Sequence, residues 1–582
     1  MTSIAGRQKG SGRARAREWL ACAAIMAGAN ACTGTIGVDS VPASDTTASS
    51  SSTGGPSGGT TGGTDPGVVE CGEPSPGSAP LRRLSNKEYE NSVSDLFSDV
   101  SGMGELVTAL VREFPAESES LGFRNNAEFL TVQPLLAQKY MDAAEQIAEL
   151  AARSDELLPC TPDDEAPMSC ADTFIAELGA RFYRRPLTAD ETSRYRSMFE
   201  AALTEYDFDT GVEWVLFSML QSPQFLYRVE RGQDSGGPVT QPTAHEMATR
   251  LAYLFWQSTP DATLLETAEN MGLDTPEQVE TLAREMLQDP RSSRLFQFFL
   301  EWLDVDRLDE FDRDPEVFPD LPQELPSWLA QETRSFVDTL LARPDGSLDE
   351  LFTAPYTYVN RELAEHYGLP VPSQEGFVKV DAPERSGILT QALMLSHDKP
   401  YRTSIVRRGL KIRTDLLCQN VPAPPNDVAL DLEAAGSEQS QRERLEQHRS
   451  NAACAGCHEL LDPIGIVFES FDAVGRHRSV DETGAPITTQ SELTGTLDAD
   501  GPVADVRELG ARLAQSSEAR DCYVTQTFRF FFGRDVEAAD SCSMAQLKTA
   551  FSESNHSLSE LLIALTQTDA FLYRPVISEV EP

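Results

Sequence analysis

The sequence has no long hydrophobic run after its N-terminus, and it lacks the short motifs of the commonest enzyme classes. No later stretch reaches the roughly 18 uninterrupted apolar residues of a membrane-spanning helix. There is no Gly-rich phosphate loop, no Gly-x-Ser-x-Gly nucleophile elbow and no His-Glu-x-x-His zinc motif. Alternating strand patterns are also scarce, and residues 376–380 are the one modest candidate. These absences argue against a spanning helix in the mature chain and against the familiar nucleotide-binding and hydrolytic sites.

Basic residues are few. The chain has 48 Lys and Arg against 92 Asp and Glu, which gives a formal net charge of −44. Such a field repels phosphate backbones and anionic lipid surfaces, so we expect no nucleic-acid partner. Solubility alone is sufficient to explain the charge. The length of 582 residues, with 40% hydrophobic and 8% aromatic residues, is typical of a folded soluble protein with about three to five domains.

The N-terminus has the order of a secretory signal. Basic residues between positions 7 and 17 precede a weakly apolar run over residues 19–29, which small residues follow. Ala29-x-Ala31 fits ordinary cleavage, and small residues before Cys32 also resemble a bacterial lipoprotein box, although the usual Leu three positions earlier is absent. We therefore expect export to the cell envelope of a bacterium, in the periplasm or as an outer-membrane lipoprotein, with membrane contact only through a lipid at Cys32.

A Ser-, Thr-, Gly- and Pro-rich stretch follows, and helical signals begin near residue 80. Such a stretch buries too little apolar surface to order itself, so it predicts a flexible spacer. Capping boxes, in which a Ser or Thr is followed three positions later by Glu or Gln, then recur before apolar-periodic segments. They are Ser85 with Glu88, Thr188 with Glu191, Thr243 with Glu246, Thr275 with Gln278, Ser347 with Glu350, and Ser557 with Glu560.

The predicted fold is mainly α, with several consecutive helical modules after a disordered N-terminal spacer. Residues 211–220 are apolar nearly all round and predict a central core helix. Pro- and Gly-rich breaks set the other boundaries. The predicted segments are a signal peptide over 1–31, a flexible spacer over 32–79, an N-terminal helical module over 80–154, a second helical module over 170–232, a central helical module over 243–370, a module with the Cys-x-x-Cys-His motif over 384–480 and a C-terminal helical module over 495–575.

Cys454, Cys457 and His458 form a Cys-x-x-Cys-His sequence, the signature of c-type haem attachment. Two thiols three positions apart can form thioethers to the haem vinyl groups, and the next imidazole can bind the iron. The alternatives are a Cys454–Cys457 disulfide and half of a zinc site. For the sixth iron ligand we favour His397 over Met394 in the same module. Local hydrogen bonding is the alternative role of His397, and an open sixth position is the alternative for the iron.

Six cysteines remain once those assigned to signal, lipid and haem are set aside, and an exported protein can join them in up to three disulfides. Pairs that bracket a single loop or turn come first, and unpaired buried cysteine is the alternative for each. The predicted pairs are Cys160 with Cys170, Cys522 with Cys542 and, by remainder, Cys71 with Cys418.

Two further groups of charged residues have both a ligand-binding and a structural interpretation. Arg476 and Arg478 could bind haem propionates, or could pair with Asp472 and Glu469. An acidic loop could bind calcium, but it lacks the spacing of a known calcium loop, and a solvated turn is the alternative. Its members are Asp312, Asp314, Glu316 and Asp320.

Five stretches resemble, in order, the modules of a multidomain family of exported proteins from planctomycetes and myxobacteria. The family is built from domains of unknown function 1587, 1595, 1592, 1588 and 1585. The stretches are residues 81–91, residues 182–188, residues 251–261, a set in the fourth module (387–391, 402–404, 408–409 and 454–476), and a set in the last (522–534 and 561–571).

The resemblance implies an exported, largely helical protein whose fourth module carries a cytochrome-like Cys-x-x-Cys-His motif. It implies no reaction, substrate or catalytic residue, so whether the chain is an enzyme stays open. The predicted function is an exported, lipid-anchored protein with a c-type haem, acting in redox chemistry or electron transfer with a redox or cell-envelope protein partner. One alternative is a surface-anchored binding or scaffold protein with a Cys454–Cys457 disulfide. Another is a zinc site formed by Cys454, Cys457, His458 and Cys418.

Overall fold

The computed structural model describes residues 71–154, 156–163, 165–233, 236–305, 311, 313–395, 402–422, 443, 445–446, 449–450, 452–481 and 483–576. Within these ranges the protein is mainly α, as predicted, with 22 α-helices and eight strands of two to four residues. None of the described helices is long and apolar enough to cross a bilayer. Their side chains pack into two large hydrophobic cores.

The first core joins the first two helical modules. Its helices pack around α6, whose Val215, Leu216, Met219 and Leu220 are fully buried, so the predicted central helix is confirmed. The helices of this core are α1 Asn86–Leu96, α2 Met103–Val111, α3 Pro134–Ala151, α4 Pro167–Tyr183, α5 Ala189–Glu205, α6 Phe208–Leu220 and α7 Pro223–Leu226.

The second core is formed mainly by the other three modules, and Phe123 of the first module also packs into it. Phe298 from the central module packs within 6.0 Å, ring to ring, of Tyr523, Phe530 and Phe531 from the C-terminal module. Its helices are α8 Ala244–Phe255, α9 Ala262–Met271, α10 Pro276–Leu287, α11 Phe296–Trp302, α12 Leu325–Leu341, α13 Leu348–Thr353, α14 Arg361–Tyr367, α15 Ala392–Leu395, α16 Ile405–Lys411, α17 Ala452–Ile466, α18 Val506–Gln515, α19 Ser517–Phe532, α20 Ser541–Glu553, α21 Leu558–Leu565 and α22 Asp569–Leu572.

Four of the six predicted capping boxes are complete, those at Ser85, Thr188, Thr243 and Thr275. The other two helices are capped in one direction only. Ser347 accepts from the Glu350 backbone N–H, and Ser557 accepts from that of Glu560. Each glutamate instead binds an arginine, Glu350 to Arg343 and Glu560 to Arg284. Tertiary ion pairing has displaced the local contact at these two sites.

Short strands join distant parts of the chain in antiparallel pairs. The predicted strand near residues 376–380 exists as β5, which begins at Val378. The pairs are β1 Arg82–Arg83 with β2 Tyr227–Arg228, β3 Val239–Thr240 with β8 Arg574–Pro575, β4 Tyr356–Val359 with β5 Val378–Asp381, and β6 Ser491–Leu493 with β7 Gly501–Val503. The first two pairs bring the start of the first module beside the end of the second, and the end of the fifth beside the start of the third.

The described residues contain three disulfides, of which only Cys160–Cys170 matches its predicted pairing. The predicted Cys522–Cys542 and Cys71–Cys418 pairs are wrong, because the bonds are Cys71–Cys542 and Cys418–Cys522. The cause is tertiary: α19 packs against a π-helical turn at Ile412–Leu416, which brings Cys522 to Cys418. Cys542, at the start of α20, therefore bonds to Cys71, the residue at which the described part of the chain begins.

Candidate functional site

The Cys-x-x-Cys-His motif lies at the start of α17, which crosses α16 at very short range. A Cβ atom placed on Gly465 would lie 1.9 Å from the carbonyl oxygen of Ile405. One placed on Gly409 would lie 2.0 Å from the carbonyl oxygen of Leu461. Each helix therefore presents a glycine to the backbone of the other, and only glycine permits this separation.

Asp462 orients His458 within this helix. The two residues are one turn apart, and His458 Nδ1 lies 2.9 Å from Asp462 Oδ1. His458 is 9% exposed and Asp462 is 0% exposed. The second carboxylate oxygen, Oδ2, is buried and has no hydrogen-bond partner. A buried carboxylate on one ring nitrogen fixes the imidazole, so that iron ligation would fall to Nε2.

Cys457 is partly exposed and belongs to no disulfide. Of the seven cysteines whose side chains the structure describes, it is the one that keeps its thiol. The neighbouring Gly456 borders open space, because a Cβ atom there would meet nothing within 4 Å. The motif thus combines an accessible thiol with an anchored imidazole one position later.

Several predicted site residues are outside the part of the chain that the structure describes. These are the side chain of Cys454, the proposed axial ligand His397 and Cys32, the position predicted to carry a lipid. Met394, the other candidate from the same module, lies on α15 and is buried among apolar side chains of the second core. The haem and its sixth ligand therefore stay predictions.

Two buried arginines that the motif analysis did not assign hold the end of α17 in place. Arg408 donates to the carbonyl oxygens of Phe468 and Phe471, at 2.7 and 2.9 Å. Arg413 donates to the carbonyl oxygen of Leu460 at 2.8 Å and also binds Gln419. Arginines placed between the apolar residues of a helical segment were the available sequence signal, since a buried guanidinium needs several acceptors.

Arg476 and Arg478 are paired with the two acids proposed as their alternative partners. Arg476 Nε donates to Asp472 Oδ2 at 2.9 Å. Arg478 Nη2 lies 3.4 Å from Glu469 Oε2, and Arg478 Nε donates to the Glu469 carbonyl oxygen at 3.0 Å. The pairing interpretation is confirmed, and a contact with haem propionates stays a prediction.

The two metal interpretations lose support. Cys418 is bonded to Cys522, so it is not available as a zinc ligand beside the motif. In the acidic loop, Asp314 accepts from the Glu316 backbone N–H at 2.8 Å and so closes a turn, while Asp312 is outside the described residues. No cluster of three or more His, Cys, Asp or Glu suited to a metal ion occurs among the described side chains.

Five family models match the chain, and each is described as a protein of unknown function. They are DUF1587 over residues 82–153, DUF1595 over 170–230, DUF1592 over 243–369, DUF1588 over 385–481 and DUF1585 over 500–571. No curated protein and no solved structure matches the chain. The motif lies within the fourth match, as the resemblance implied. The chain belongs to the multidomain proteins in which these five modules of unknown function follow one another in this order.

Proposed function

We propose that this chain is an exported, lipid-anchored protein of the bacterial cell envelope that carries one covalent haem and acts in redox chemistry or electron transfer. Cys454 and Cys457 would hold the haem vinyl groups, and His458 would bind the iron. The observation that carries the proposal is the contact between His458 and the buried Asp462, directly after a cysteine that keeps its thiol.

The donor set fits the group on three counts. A thioether needs a reduced cysteine, and Cys457 is reduced while six others are oxidised in pairs. An iron-binding histidine commonly contacts a carboxylate through its other ring nitrogen, as His458 contacts Asp462. The close α16–α17 crossing holds the helix that carries both groups, so that the imidazole is positioned before any ligand binds.

Each residue has a distinct role in this proposal. A bound haem would supply one-electron redox chemistry. Asp462 keeps the imidazole in one orientation and strengthens it as an iron ligand, because a carboxylate on Nδ1 draws the ring proton towards itself. Arg408 and Arg413 fix the backbone after the motif and so limit the movement of the helix.

The first prediction is that periplasmic protein, produced with the haem-attachment machinery, shows a Soret band that survives acid–acetone extraction. The double variant Cys454→Ser/Cys457→Ser should lose the extraction-resistant band completely, because both thioether positions are gone. The matched control Cys160→Ser/Cys170→Ser removes two cysteines elsewhere and should keep the band.

A colourless wild-type protein would overturn the haem proposal. Non-reducing peptide mapping then decides the scaffold alternative, because a peptide with a Cys454–Cys457 disulfide supports it. Haem-linked peptides exclude it. Of the haem proposal and the scaffold alternative, the free Cys457 thiol favours the haem proposal.

The second prediction concerns Asp462 as a positioning residue. Asp462→Asn should leave the covalent attachment intact and raise the midpoint reduction potential, because a neutral amide makes the histidine a weaker donor. The expected rise is on the order of 50 mV, which corresponds to a roughly tenfold change in a one-electron equilibrium. Potentiometric titration followed at the Soret band measures it.

Glu469→Gln is the matched control for Asp462→Asn. It also removes a buried carboxylate of the same module, but Glu469 faces Arg478 and, at 4.0 Å, Arg408. Its potential should stay near that of the wild type. Equal potentials in the two variants would contradict a role for Asp462 in orienting the histidine.

A further inference from the structure

Five arginines converge on one cleft, in a protein that is otherwise strongly acidic. The cleft has about 860 Å³ of empty space, its open mouth included, and lies beside the β1–β2 and β3–β8 strand pairs. The arginines are Arg82, Arg228, Arg250, Arg534 and Arg574. They come from the first, second, third and fifth modules. None of the described lining residues lies within residues 385–481, so the cleft is separate from the haem-attachment module.

Two of these arginines share one carboxylate on one side of the cleft. Arg82 Nη2 lies 2.9 Å from Glu88 Oε1, and Arg228 Nη1 lies 3.7 Å from the same oxygen. Burial, followed by the charge of Arg82, lowers the pKa of Arg228 to about 10. Arg228 is still a cation at neutral pH, so one carboxylate faces two guanidinium groups.

Two other arginines have a carboxylate each. Arg250 binds Glu230 through two nitrogens, at 2.9 and 2.6 Å. Arg534 binds Asp540 in the same bidentate way, at 2.6 and 2.8 Å. These two carboxylates are therefore already engaged by planar forks that match them, while the charges of Arg228 and Arg574 also act on Glu230.

Arg574 is the fifth arginine of the cleft, and it takes part in none of these ion pairs. It is 2% exposed, and its Nε and Nη1 atoms are buried without a hydrogen-bond partner. The Nε atoms of Arg82 and Arg228 are also buried without one. Buried donors are satisfied in the great majority of native structures, and an unpaired buried charge is strongly unfavourable. Five guanidinium groups thus face three carboxylates, so the cleft has an excess of positive charge.

We propose that this arginine cleft binds a small organic anion whose carboxylate or phosphate head group is held by Arg574 and its neighbours. Guanidinium forks match planar or tetrahedral oxyanions and give them two parallel hydrogen bonds. The same cleft is lined by apolar side chains, among them Phe531 and Phe571, which suit an apolar portion of the ligand. Since the net charge of the whole protein is −44, local contacts and not long-range attraction must select the anion.

The probes for this proposal are benzoate and phenyl phosphate, with benzyl alcohol as a neutral analogue of similar size. We expect both anions, at millimolar concentration and constant ionic strength, to raise the melting temperature of the full chain, and the alcohol to leave it unchanged. Isothermal titration should show saturable binding of the anions. Arg574→Met should weaken that binding at least tenfold, since the unpaired donors are removed.

The stability of the anion-free variant separates a ligand-binding role from a structural one. Without ligand, Arg574→Met should melt at or above the wild-type temperature, because it replaces a buried guanidinium that has unsatisfied donors with an apolar side chain. Arg574→Lys keeps the charge but loses the fork, and it should also weaken binding if Arg574→Met does not fold. Arg361→Gln, at a side chain 62% exposed, is the control and should bind as the wild type does.

Two results would overturn the proposal. One is a wild-type protein that binds the anions no better than it binds benzyl alcohol. The other is unchanged anion binding in Arg574→Met or in Arg574→Lys.

Discussion

Gly465→Ala should separate α17 from α16 and lower the free energy of unfolding by about 3 kcal/mol. The added Cβ atom would lie 1.9 Å from the Ile405 carbonyl oxygen, far inside van der Waals contact. The opposing atom belongs to a backbone and not to a flexible side chain, so the clash is relieved only by moving a helix. Because α17 carries the Cys-x-x-Cys-His motif, the yield of covalent haem should fall together with stability. Urea unfolding followed by circular dichroism, with the Soret absorbance of each preparation, measures both effects.

Gly456→Ala is the control for this substitution. It makes the same chemical change on the same helix, at a position where a Cβ atom meets nothing within 4 Å. Alanine is also a better helix former than glycine by roughly 1 kcal/mol, so this variant should be as stable as the wild type or slightly more stable. If the two alanine variants unfold at the same urea concentration, the close crossing of the helices is not what holds α17.

Removal of the Cys418–Cys522 disulfide should have the second large effect. The bond joins the fourth module to the fifth across 104 residues of sequence. In the chain-entropy description, a loop of this length constrains the unfolded state by about 5 kcal/mol. Cys418→Ser/Cys522→Ser should therefore unfold at a much lower urea concentration under non-reducing conditions, which leave the other disulfides intact. The circular dichroism signal again follows the transition.

The Cys160–Cys170 disulfide provides the comparison, because its two cysteines are only 10 residues apart in the sequence. Its removal should cost about 3 kcal/mol in the same description. A larger loss from the short loop than from the long one would contradict the expected dependence on loop length. Such a result would place the effect in native contacts near Cys160, at the edge of the first core.

Local sequence signals predicted local structure well. The capping boxes at Ser85, Thr188, Thr243 and Thr275 were predictable because both hydrogen bonds lie within four residues of each other. The apolar character of α6 likewise predicted its burial. These features depend on contacts inside one turn or one helix, which the sequence displays directly.

Contacts between distant residues were not predictable in the same way. Two of the three disulfide pairings were wrong, because nearness along the chain does not report the packing of α19 against the π-helical turn before Cys418. The arginine cleft brings together Arg82 and Arg574, which lie near opposite ends of the described sequence. No sequence spacing could have indicated that these two arginines line the same cleft, or that three modules share one core.

The candidate site contains one missed local signal. His458 and Asp462 are four residues apart, which is the spacing at which helical side chains meet, so the contact could have been read from the sequence once the segment was assigned as a helix. The glycines of the α16–α17 crossing are different. Gly409 and Gly465 become meaningful only when the two helices are placed together.

The Cys71–Cys542 bond closes nearly the whole folded body into a covalent ring. A protease that cuts one loop anywhere between these two residues would therefore release no fragment, since both pieces stay joined through the sulfur atoms. The piece that carries His458 would remain attached to the N-terminal segment that precedes Cys71. In the exported, lipid-anchored protein proposed above, a single cut would thus leave the module that carries His458 attached to its anchor.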